Sequence, residues 1–358
     1  MNYPYRDKIK PIGVTMPDWK ELLSGDPLPW LLEPDTAQPA IRYFTLRDIL
    51  GHDDSDSKVK KAQAAIMLSG PVPVILAAQQ PDGYWNKPGP GYGPKYQGTI
   101  WSVIFLAQLG ADGANPQVRS GCEYVLSHSI ASNGGFSVNG TPSFFIHCMA
   151  GNLGAALIDL GWSGDKRLQV ALDWQARYIT GDGIADPQNK DSPERYYKSG
   201  TTGPLFACAA NGGLPCAWGA VKAMLALGKV PLSQRNQRIQ SAVQHGIGFL
   251  LSRDPAVADY PFGPGSGINS SWFKFGYPLG YVTDVLQNLE ALSVLGKAQN
   301  PKLTNALKLV LSKQNDEGRW LMKYSYNGKM WIDIEKKGKP SKWVTLRALR
   351  VLKAAYPE

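Results

Sequence analysis

The chain has 358 residues, of which 43% are hydrophobic and 19% charged, and its formal net charge is +9 at pH 7. This composition is ordinary for a globular protein and excludes an intrinsically disordered chain. The Lys and Arg residues are spread along the sequence without a run of four, so the charge does not indicate a nucleic-acid partner. A solvated basic surface explains it, while an anionic substrate or an anionic membrane surface stays open.

The N-terminal residues 1–19 lack the apolar core of a secretion signal, and no stretch of 18 apolar residues occurs in the sequence. We therefore expect a cytoplasmic protein without a transmembrane segment, for which peripheral membrane contact stays open. Cysteines are kept reduced in that compartment, so four of them in a chain this long indicate free thiols. They are Cys122, Cys148, Cys208 and Cys216.

Helical periodicity begins near residue 30 and recurs along the whole chain, with almost no β-alternation. An early pair of helices is predicted at 30–51 and 58–76. Longer apolar helices follow at 98–110, 143–161, 213–228, 280–296 and 342–356, with second helices between them at 117–127, 167–178, 235–251 and 301–314. Four of the apolar helices end in Leu-Gly, where glycine is predicted to form a left-handed cap. These glycines are Gly110, Gly161, Gly228 and Gly296.

A short motif of Gln, a polar turn, Gly and Trp occurs twice, as "QQPDGYW" at 79–85 and "KQNDEGRW" at 313–320. "SNGGF" at 132–136 matches it in part, and the corresponding stretches at 180–183 and 252–254 are degenerate. Gln can bridge backbone groups at a helix end, Gly permits a tight reversal, and Trp can pack against a neighbouring helix pair. We therefore predict that the motif stabilises the contacts between helix pairs.

The stretches "ILAAQQPDGYW" and "LVLSKQNDEGRW" resemble the QW-type repeats of squalene–hopene cyclases, terpenoid cyclases and protein prenyltransferase β-subunits. The resemblance covers residues 30–356 by pattern and implies an α/α toroid, in which inner helices ring a central cavity and outer helices surround them. We expect an all-α chain, with an N-terminal extension at 1–29 and a single toroid of about five to six helix pairs at 30–358.

The N-terminal ends of the inner helices are the predicted location of the chemistry. When these helices are aligned on their closing glycines, one layer contains His147, Cys148, Cys216 and Asp284. Tyr281, Asp284 and Asn288 share a helical face by their spacing, so Asp284 is the candidate proton donor and Tyr281 its neighbour. His147 is a partner base or ligand. The alternative for Asp284 is that it only caps its helix.

A metal site is a second hypothesis for the same layer. "FFIHCMAGNLG" resembles the His-containing inner helix of prenyltransferase β-subunits, in which Asp, Cys and His hold a catalytic zinc. This implies that zinc is possible here, with Cys148, Cys208 and Cys216 as ligands. The spacing of Cys208 and Cys216 is not a standard zinc pattern, and the order of the residues departs from that family. The alternative is that these cysteines are buried core residues.

Aromatic residues in the loops are the candidates for substrate binding, because an aromatic wall suits a hydrophobic or cationic molecule and also stacks on sugar rings. The candidates, with Asn288 added from the polar face, are Tyr92, Tyr96, Trp101, Tyr196, Tyr197, Trp272, Phe275 and Tyr277.

The expected function is that of an enzyme acting on a hydrophobic, isoprenoid-like or polycyclic small molecule by acid–base chemistry in the central cavity. A squalene cyclase is not expected, because the motifs Asp-x-Asp-Asp and Asp-Asp-x-x-Asp are absent from the sequence. One alternative is a glycan lyase or hydrolase, which would need paired acid and base groups across the cavity. Another is a non-catalytic binding toroid or a β-like subunit, which a large exposed apolar patch would favour. The oligomeric state stays open.

Overall fold

The structure, a computed structural model, describes residues 18–186, 188–192, 202–263, 267 and 269–357. In these residues helices are the regular structure, and β-pairing is limited to isolated bridges. The α-helices are α1 (Leu28–Leu32), α2 (Pro39–Phe44), α3 (Ser57–Leu68), α4 (Pro71–Ala77), α5 (Thr99–Gln108), α6 (Pro116–His128), α7 (His147–Asp159), α8 (Lys166–Thr180), α9 (Ala217–Lys229), α10 (Gln237–Leu250), α11 (Val285–Val294), α12 (Thr304–Leu311) and α13 (Lys342–Ala355).

An inner ring is formed by the helices α5, α7, α9, α11 and α13, which are buried along most of their length. Helix α5 contacts α7, α7 contacts α9, α9 contacts α11, and α11 contacts α13. Helix α13 closes the ring against α2 and the π-helical turn Thr45–Ile49 that continues it. Phe44 at the end of α2 packs beside Gly110 after α5, which joins the first helix pair to the next one. The ring explains why these helices are buried on nearly every side, since both of their faces are covered.

The outer helices are amphipathic and pack on the inner helix that precedes each of them. Helix α3 contacts α2, α6 contacts α5, α8 contacts α7, α10 contacts α9, and α12 contacts α11. Asp56, Asn115, Asp165 and Asn236 cap α3, α6, α8 and α10 with side-chain oxygens that accept from backbone amides of the first turn. The predicted all-α toroid is confirmed.

The N-terminal segment of the described chain packs on the last inner helix. The turn Trp19–Leu22 and helix α1 both contact α13, and Trp19 is fully buried. The backbone amide of Ser24 donates to Gln314 Oε1 at 2.9 Å, and Gln314 Nε2 donates to the Leu22 carbonyl at 3.0 Å. Residues from 18 onwards are therefore tied to the ring, while the division at residue 29 stays a prediction.

The two Gln-to-Trp motifs form the same local structure. Trp85 and Trp320 are 0% exposed, and each indole Nε1 donates to a carbonyl ten residues earlier, at 2.7 Å to Ile75 and 2.7 Å to Val310. Each tryptophan amide also donates to a threonine hydroxyl of the following inner helix, Thr99 or Thr345, at 3.1 and 3.0 Å. These contacts hold the preceding helix (α4 or α12), the turn and the following inner helix together, as expected of a structural motif.

Three of the four predicted glycine caps are present. Gly110, Gly161 and Gly296 have φ values of 75°, 85° and 70°, the left-handed conformation that ends a helix. The prediction for Gly228 is wrong, because α9 continues through it to Lys229 and ends at an extended Val230. Gly228 packs instead against Val294 and Leu295 of the next inner helix, where a larger side chain would be tight.

Helices α7 and α9 approach each other closely at Gly151. A Cβ atom at this position would lie 2.4 Å from the carbonyl carbon and oxygen of Lys222, which are backbone atoms and cannot rotate away. Gly151→Ala is therefore expected to lower the free energy of unfolding by about 1–3 kcal/mol, measured by urea denaturation. Gly164→Ala is the matched control, because a Cβ there meets nothing within 4 Å. Equal stability of the two variants would contradict this close packing.

No helix in the described part of the chain is both long enough and apolar enough to span a membrane.

Candidate functional site

A cavity of about 320 Å³ lies at the N-terminal end of α9, beside the segment that precedes α11. We call it the aromatic cavity, because its wall contains five aromatic side chains: Trp218, Tyr260, Phe262, Trp272 and Tyr281. Cys208 and Cys216 lie in the same wall. Among the described lining residues there is no carboxylate and no cationic side chain, so the wall favours an apolar ligand.

Residues 276–282, the crossing segment, connect this cavity with the interior of the ring. Gln108 holds the segment through both amide atoms, since its Oε1 accepts from the Leu279 amide at 2.7 Å and its Nε2 donates to the Leu279 carbonyl at 2.7 Å. Asn152 Nδ2 donates to the Gly280 carbonyl at 2.9 Å. The segment places Tyr281 in the aromatic cavity and Tyr277 and Leu279 in a second cavity.

The second cavity, of about 770 Å³, lies towards the C-terminal ends of the inner helices. We call it the charged cavity, because its wall contains Arg47, Asp48, Asp159, Lys229, Glu290, Arg347 and Arg350. The three carboxylates in this wall are each held by a cation. Asp48 contacts Arg350 and Arg47, Asp159 contacts Lys229, and Glu290 contacts Arg347.

Asp284 is buried, 3% exposed, and is the N-cap of α11. Its Oδ1 accepts from the Gln287 amide at 2.7 Å and its Oδ2 from the Gly276 amide at 3.2 Å. Arg347 completes the arrangement with contacts of 3.0 Å to Oδ1 and 3.1 Å to Oδ2. Every one of these neighbours donates to the carboxylate, which favours the capping alternative. The proton-donor role of Asp284 stays a prediction.

The helical face predicted for Tyr281, Asp284 and Asn288 does not form. Helix α11 begins at Val285, so Tyr281 lies in the crossing segment, outside the helix. Its ring instead faces Trp218, with the ring centroids 6.0 Å apart, and Lys95 Nζ lies 4.6 Å from its centroid. Asn288 is fully buried and its Nδ2 contacts the Tyr260 hydroxyl at 3.4 Å.

His147 is fully buried as the first residue of α7. Burial lowers the pKa of its imidazole to about 4, although the hydrogen bond with the Gly203 carbonyl acts in the opposite direction. The ring is therefore neutral near pH 7, and its Nε2 donates to that carbonyl at 3.1 Å. Within the described residues no hydrogen bond or ion pair joins His147 to Asp284, so the two predicted catalytic groups do not form a pair.

The zinc hypothesis gains no support from the cysteines. In the part of the chain that the structure describes, no group of three or more His, Cys, Asp or Glu side chains could hold a metal ion. Cys208 and Cys216 lie in the wall of the aromatic cavity, whose described residues include no third ligand of these types. Cys148 is buried, and burial raises the pKa of its thiol to about 11, which opposes the thiolate that zinc requires.

The predicted substrate-binding aromatics fall into separate places. Trp272 lines the aromatic cavity, whereas Tyr277 lines the charged cavity and stacks on Trp343 with the ring centroids 4.0 Å apart. Phe275 is buried in the core. Tyr92, Tyr96 and Trp101 form a cluster near α5, which Lys95 links to Tyr281. Tyr196 and Tyr197 lie outside the described residues.

Sequence reasoning missed several residues of this region. Trp218, Tyr260 and Phe262 line the aromatic cavity, and the apolar periodicity gave no sign that they differ from core residues. Lys222 is fully buried in α9, and burial lowers the pKa of its ammonium to about 8. Its Nζ donates to the Val282 carbonyl at 3.3 Å and to Gln287 Oε1 at 2.9 Å, which fastens the crossing segment to the ring.

Comparison with known proteins yields only distant structural likenesses. No protein-family model matches the sequence, and no curated protein matches it. A protein of known structure from Actinoplanes is 15% identical over 82% of this chain and 99% of its own, with a TM-score of 0.31. The type II terpene cyclase MstE from Scytonema is 12% identical over 80% of this chain and 96% of its own, with a TM-score of 0.27. Because these likenesses are so weak, we infer neither fold nor function from them.

Proposed function

We propose that this chain is an enzyme that binds an apolar, isoprenoid-like or polycyclic small molecule in the aromatic cavity and transforms it there by proton transfer. The observation that carries the proposal is the wall of that cavity, with five aromatic rings and, in its described part, no charged side chain. A cavity of about 320 Å³ is within the usual range for a small-molecule site.

The protic groups of the aromatic cavity support chemistry as well as binding. Tyr281 and the two thiols of Cys208 and Cys216 lie in its wall. Burial raises the pKa of the Tyr281 hydroxyl, so this group stays protonated near neutral pH and can donate a hydrogen bond to an oxygen of the substrate. The nearby ammonium of Lys95 covers the outer face of the Tyr281 ring.

The glycan alternative would place its acid and base in the charged cavity, the site with carboxylates. All three carboxylates there are already held by Arg or Lys, as described above. A general acid must carry a proton, and a carboxylate beside a guanidinium is held in its charged form. For Asp48, the charges of Arg350 and Arg47 lower the carboxyl pKa in spite of its burial, which by itself raises it. The aromatic cavity is therefore the better-supported site.

The alternative of a partner-binding toroid depends on a contiguous exposed apolar patch. The two most exposed large apolar side chains of the described chain are Leu68, at 81%, and Leu232, at 78%. Leu68 ends α3, which packs on α2, whereas Leu232 follows α9. These helices belong to different parts of the ring, so the two side chains do not extend one patch.

The proposal is tested by ligand binding followed by product analysis. The protein is titrated with geranylgeraniol, a sterol and an oligosaccharide, and binding is followed by tryptophan fluorescence. We expect the apolar ligands to bind and Trp218→Ala to weaken their binding by about tenfold or more, because the ring that lines the cavity is lost. Mass spectrometry of the ligand after incubation then shows whether it has been transformed.

Trp30→Ala is the matched control for this titration, because Trp30 is also half-buried but packs under Arg319, away from both cavities. The Trp30→Ala variant should bind the apolar ligands with the same affinity as the wild type. Binding of the oligosaccharide alone, or an equal loss of affinity in the two tryptophan variants, would contradict the assignment of the aromatic cavity.

A further inference from the structure

Cys208 occupies a position that other repeats of this fold give to an aromatic residue. Isolated antiparallel bridges join residues six apart in the turns before four inner helices: Gln79 to Trp85, Ile130 to Phe136, Thr202 to Cys208, and Gln314 to Trp320. The last residue of the other three bridges is a Trp or Phe that is 0–1% exposed. At the third bridge this position is Cys208, whose thiol is smaller than an aromatic ring, and Cys208 lines the aromatic cavity.

The backbone places the Cys216 side chain on the same face of the bridged turn as the Cys208 side chain. Ala207 is bridged to Pro215, the Cys208 amide donates to the Leu214 carbonyl at 3.1 Å, and the Cys216 amide donates to the Phe206 carbonyl at 2.9 Å. In such a ladder side chains alternate between faces, so Cys208 and Cys216 are diagonal neighbours on one face. Both thiols are half-buried and both line the aromatic cavity.

The two thiols differ in acidity because of their contacts. Interaction with the Cys216 thiol and with the Ala210 and Asn211 amides lowers the pKa of the Cys208 thiol to about 6, although burial opposes this. The same contact with Cys208, together with burial, raises the pKa of the Cys216 thiol well above its ordinary value. Near pH 7 the pair therefore holds one thiolate and one thiol.

We propose that Cys208 is a nucleophile that adds to an apolar α,β-unsaturated carbonyl compound bound in the aromatic cavity, with Cys216 as the proton donor. This inference rests on the proposed function, since it uses the same cavity. The pair supplies one sulfur nucleophile and one proton, which is all that a conjugate addition consumes, because the reaction has no leaving group. The apolar wall selects a hydrophobic substrate.

In the addition, a bond forms between the Cys208 sulfur and the β-carbon while the carbon–carbon π bond breaks. Its electrons move to the α-carbon and the carbonyl oxygen, and the Tyr281 hydroxyl can donate a hydrogen bond to that oxygen. The α-carbon then takes the proton of the Cys216 thiol, which leaves Cys216 as a thiolate. Nothing is oxidised or reduced. Reversal after rotation about the former double bond isomerises the substrate.

The test uses the full chain and N-cyclohexylmaleimide, an apolar α,β-unsaturated dicarbonyl compound, with maleimidoacetic acid as its charged counterpart. Adducts are located by peptide mass spectrometry, and rates are normalised to free cysteine. We expect Cys208 to react first, with a pH midpoint near 6. The apolar reagent should be favoured by about tenfold. Cys122 is the internal control, since burial raises the pKa of its thiol to about 12 and it should stay unmodified.

Variants separate the two parts of the proposal. Cys216→Ala should raise the pH midpoint of Cys208 by about one unit or more, whereas Cys216→Ser, which keeps a hydroxyl donor, should raise it less. Trp218→Ala should remove the preference for the apolar reagent and leave the midpoint unchanged. A pH midpoint of Cys208 near the ordinary cysteine value, or first reaction at Cys216, would show that Cys208 is not the nucleophile. A low pH midpoint of Cys208 without a preference for the apolar maleimide would contradict the apolar substrate class. It would also contradict the proposed function of the aromatic cavity.

Discussion

Arg347→Met is expected to lower the free energy of unfolding by about 3–5 kcal/mol, because it leaves two carboxylates buried without their cation. The Arg347 side chain is 2% exposed and contacts Asp284 at 3.0 Å and Glu290 at 2.7 Å. Its Nη1 also donates to the Gly276 carbonyl at 2.7 Å, so one guanidinium joins α13, α11 and the crossing segment. Urea denaturation measures the loss.

Arg350→Met is the matched control on the same helix. Its guanidinium pairs with Asp48, but the arginine side chain is 31% exposed, so solvent screens the ion pair. We expect a loss below about 1 kcal/mol. An equal loss of unfolding free energy in the two variants would show that the buried network around Arg347 stabilises the protein no more than the partly exposed ion pair does.

Asp284→Asn distinguishes the two roles assigned to this residue. A structural role predicts a loss of about 1–3 kcal/mol, because two hydrogen bonds from Arg347 lose their charged acceptor. It also predicts unchanged turnover per folded molecule, once a substrate is known from the binding experiment. A proton donor would instead lose about 100-fold in turnover or more. A large loss of turnover at full stability would restore Asp284 as the catalytic acid.

Trp85→Ala and Trp320→Ala are each expected to cost about 3–5 kcal/mol of stability, because each removes a fully buried indole. Both indoles donate to a carbonyl of the preceding helix, so the loss also leaves a buried acceptor unsatisfied. The two variants should lose similar amounts, since their contacts are the same. Thermal and urea unfolding measure both.

Trp→Phe at the same two positions is the control, because it keeps a large ring and removes only the indole hydrogen bond. The loss should be smaller than for alanine by about 1 kcal/mol or more. A large loss of stability at only one of the two tryptophan positions would contradict a common role for the two motifs.

The helices themselves could be predicted well, because periodicity is a local property. The segment predicted at 117–127 is α6 (Pro116–His128), and that at 167–178 is α8 (Lys166–Thr180). The boundary of α11 was less predictable. The apolar pattern extends back to residue 280, but Asp284 accepts the Gln287 amide and starts the helix at Val285, which removes Tyr281 from it.

The third turn of the bridge series lies at 202–208, whereas the sequence pattern matches the motif, in degenerate form, to residues 180–183. At the two positions where the other turns of the series have Gly and an aromatic residue, this turn has Phe206 and Cys208. Leu205 and Phe206 adopt positive φ values of 51° and 62° there, a conformation uncommon for residues with side chains. A pattern built on residue identity cannot find a turn whose backbone is imposed by its surroundings.

By itself, the sequence determined that this chain is helical, that apolar and amphipathic helices alternate, and that two tryptophan motifs join them. Each of these follows from residues within a few turns of one another. Only the tertiary structure decided the partners of the polar groups. Arg347 meets Asp284 across 63 residues because the ring closes, and Cys208 meets Cys216 because Ala207 pairs with Pro215. The first contact depends on the path of the whole chain and the second on a bridged, non-helical turn, and helical periodicity contains neither.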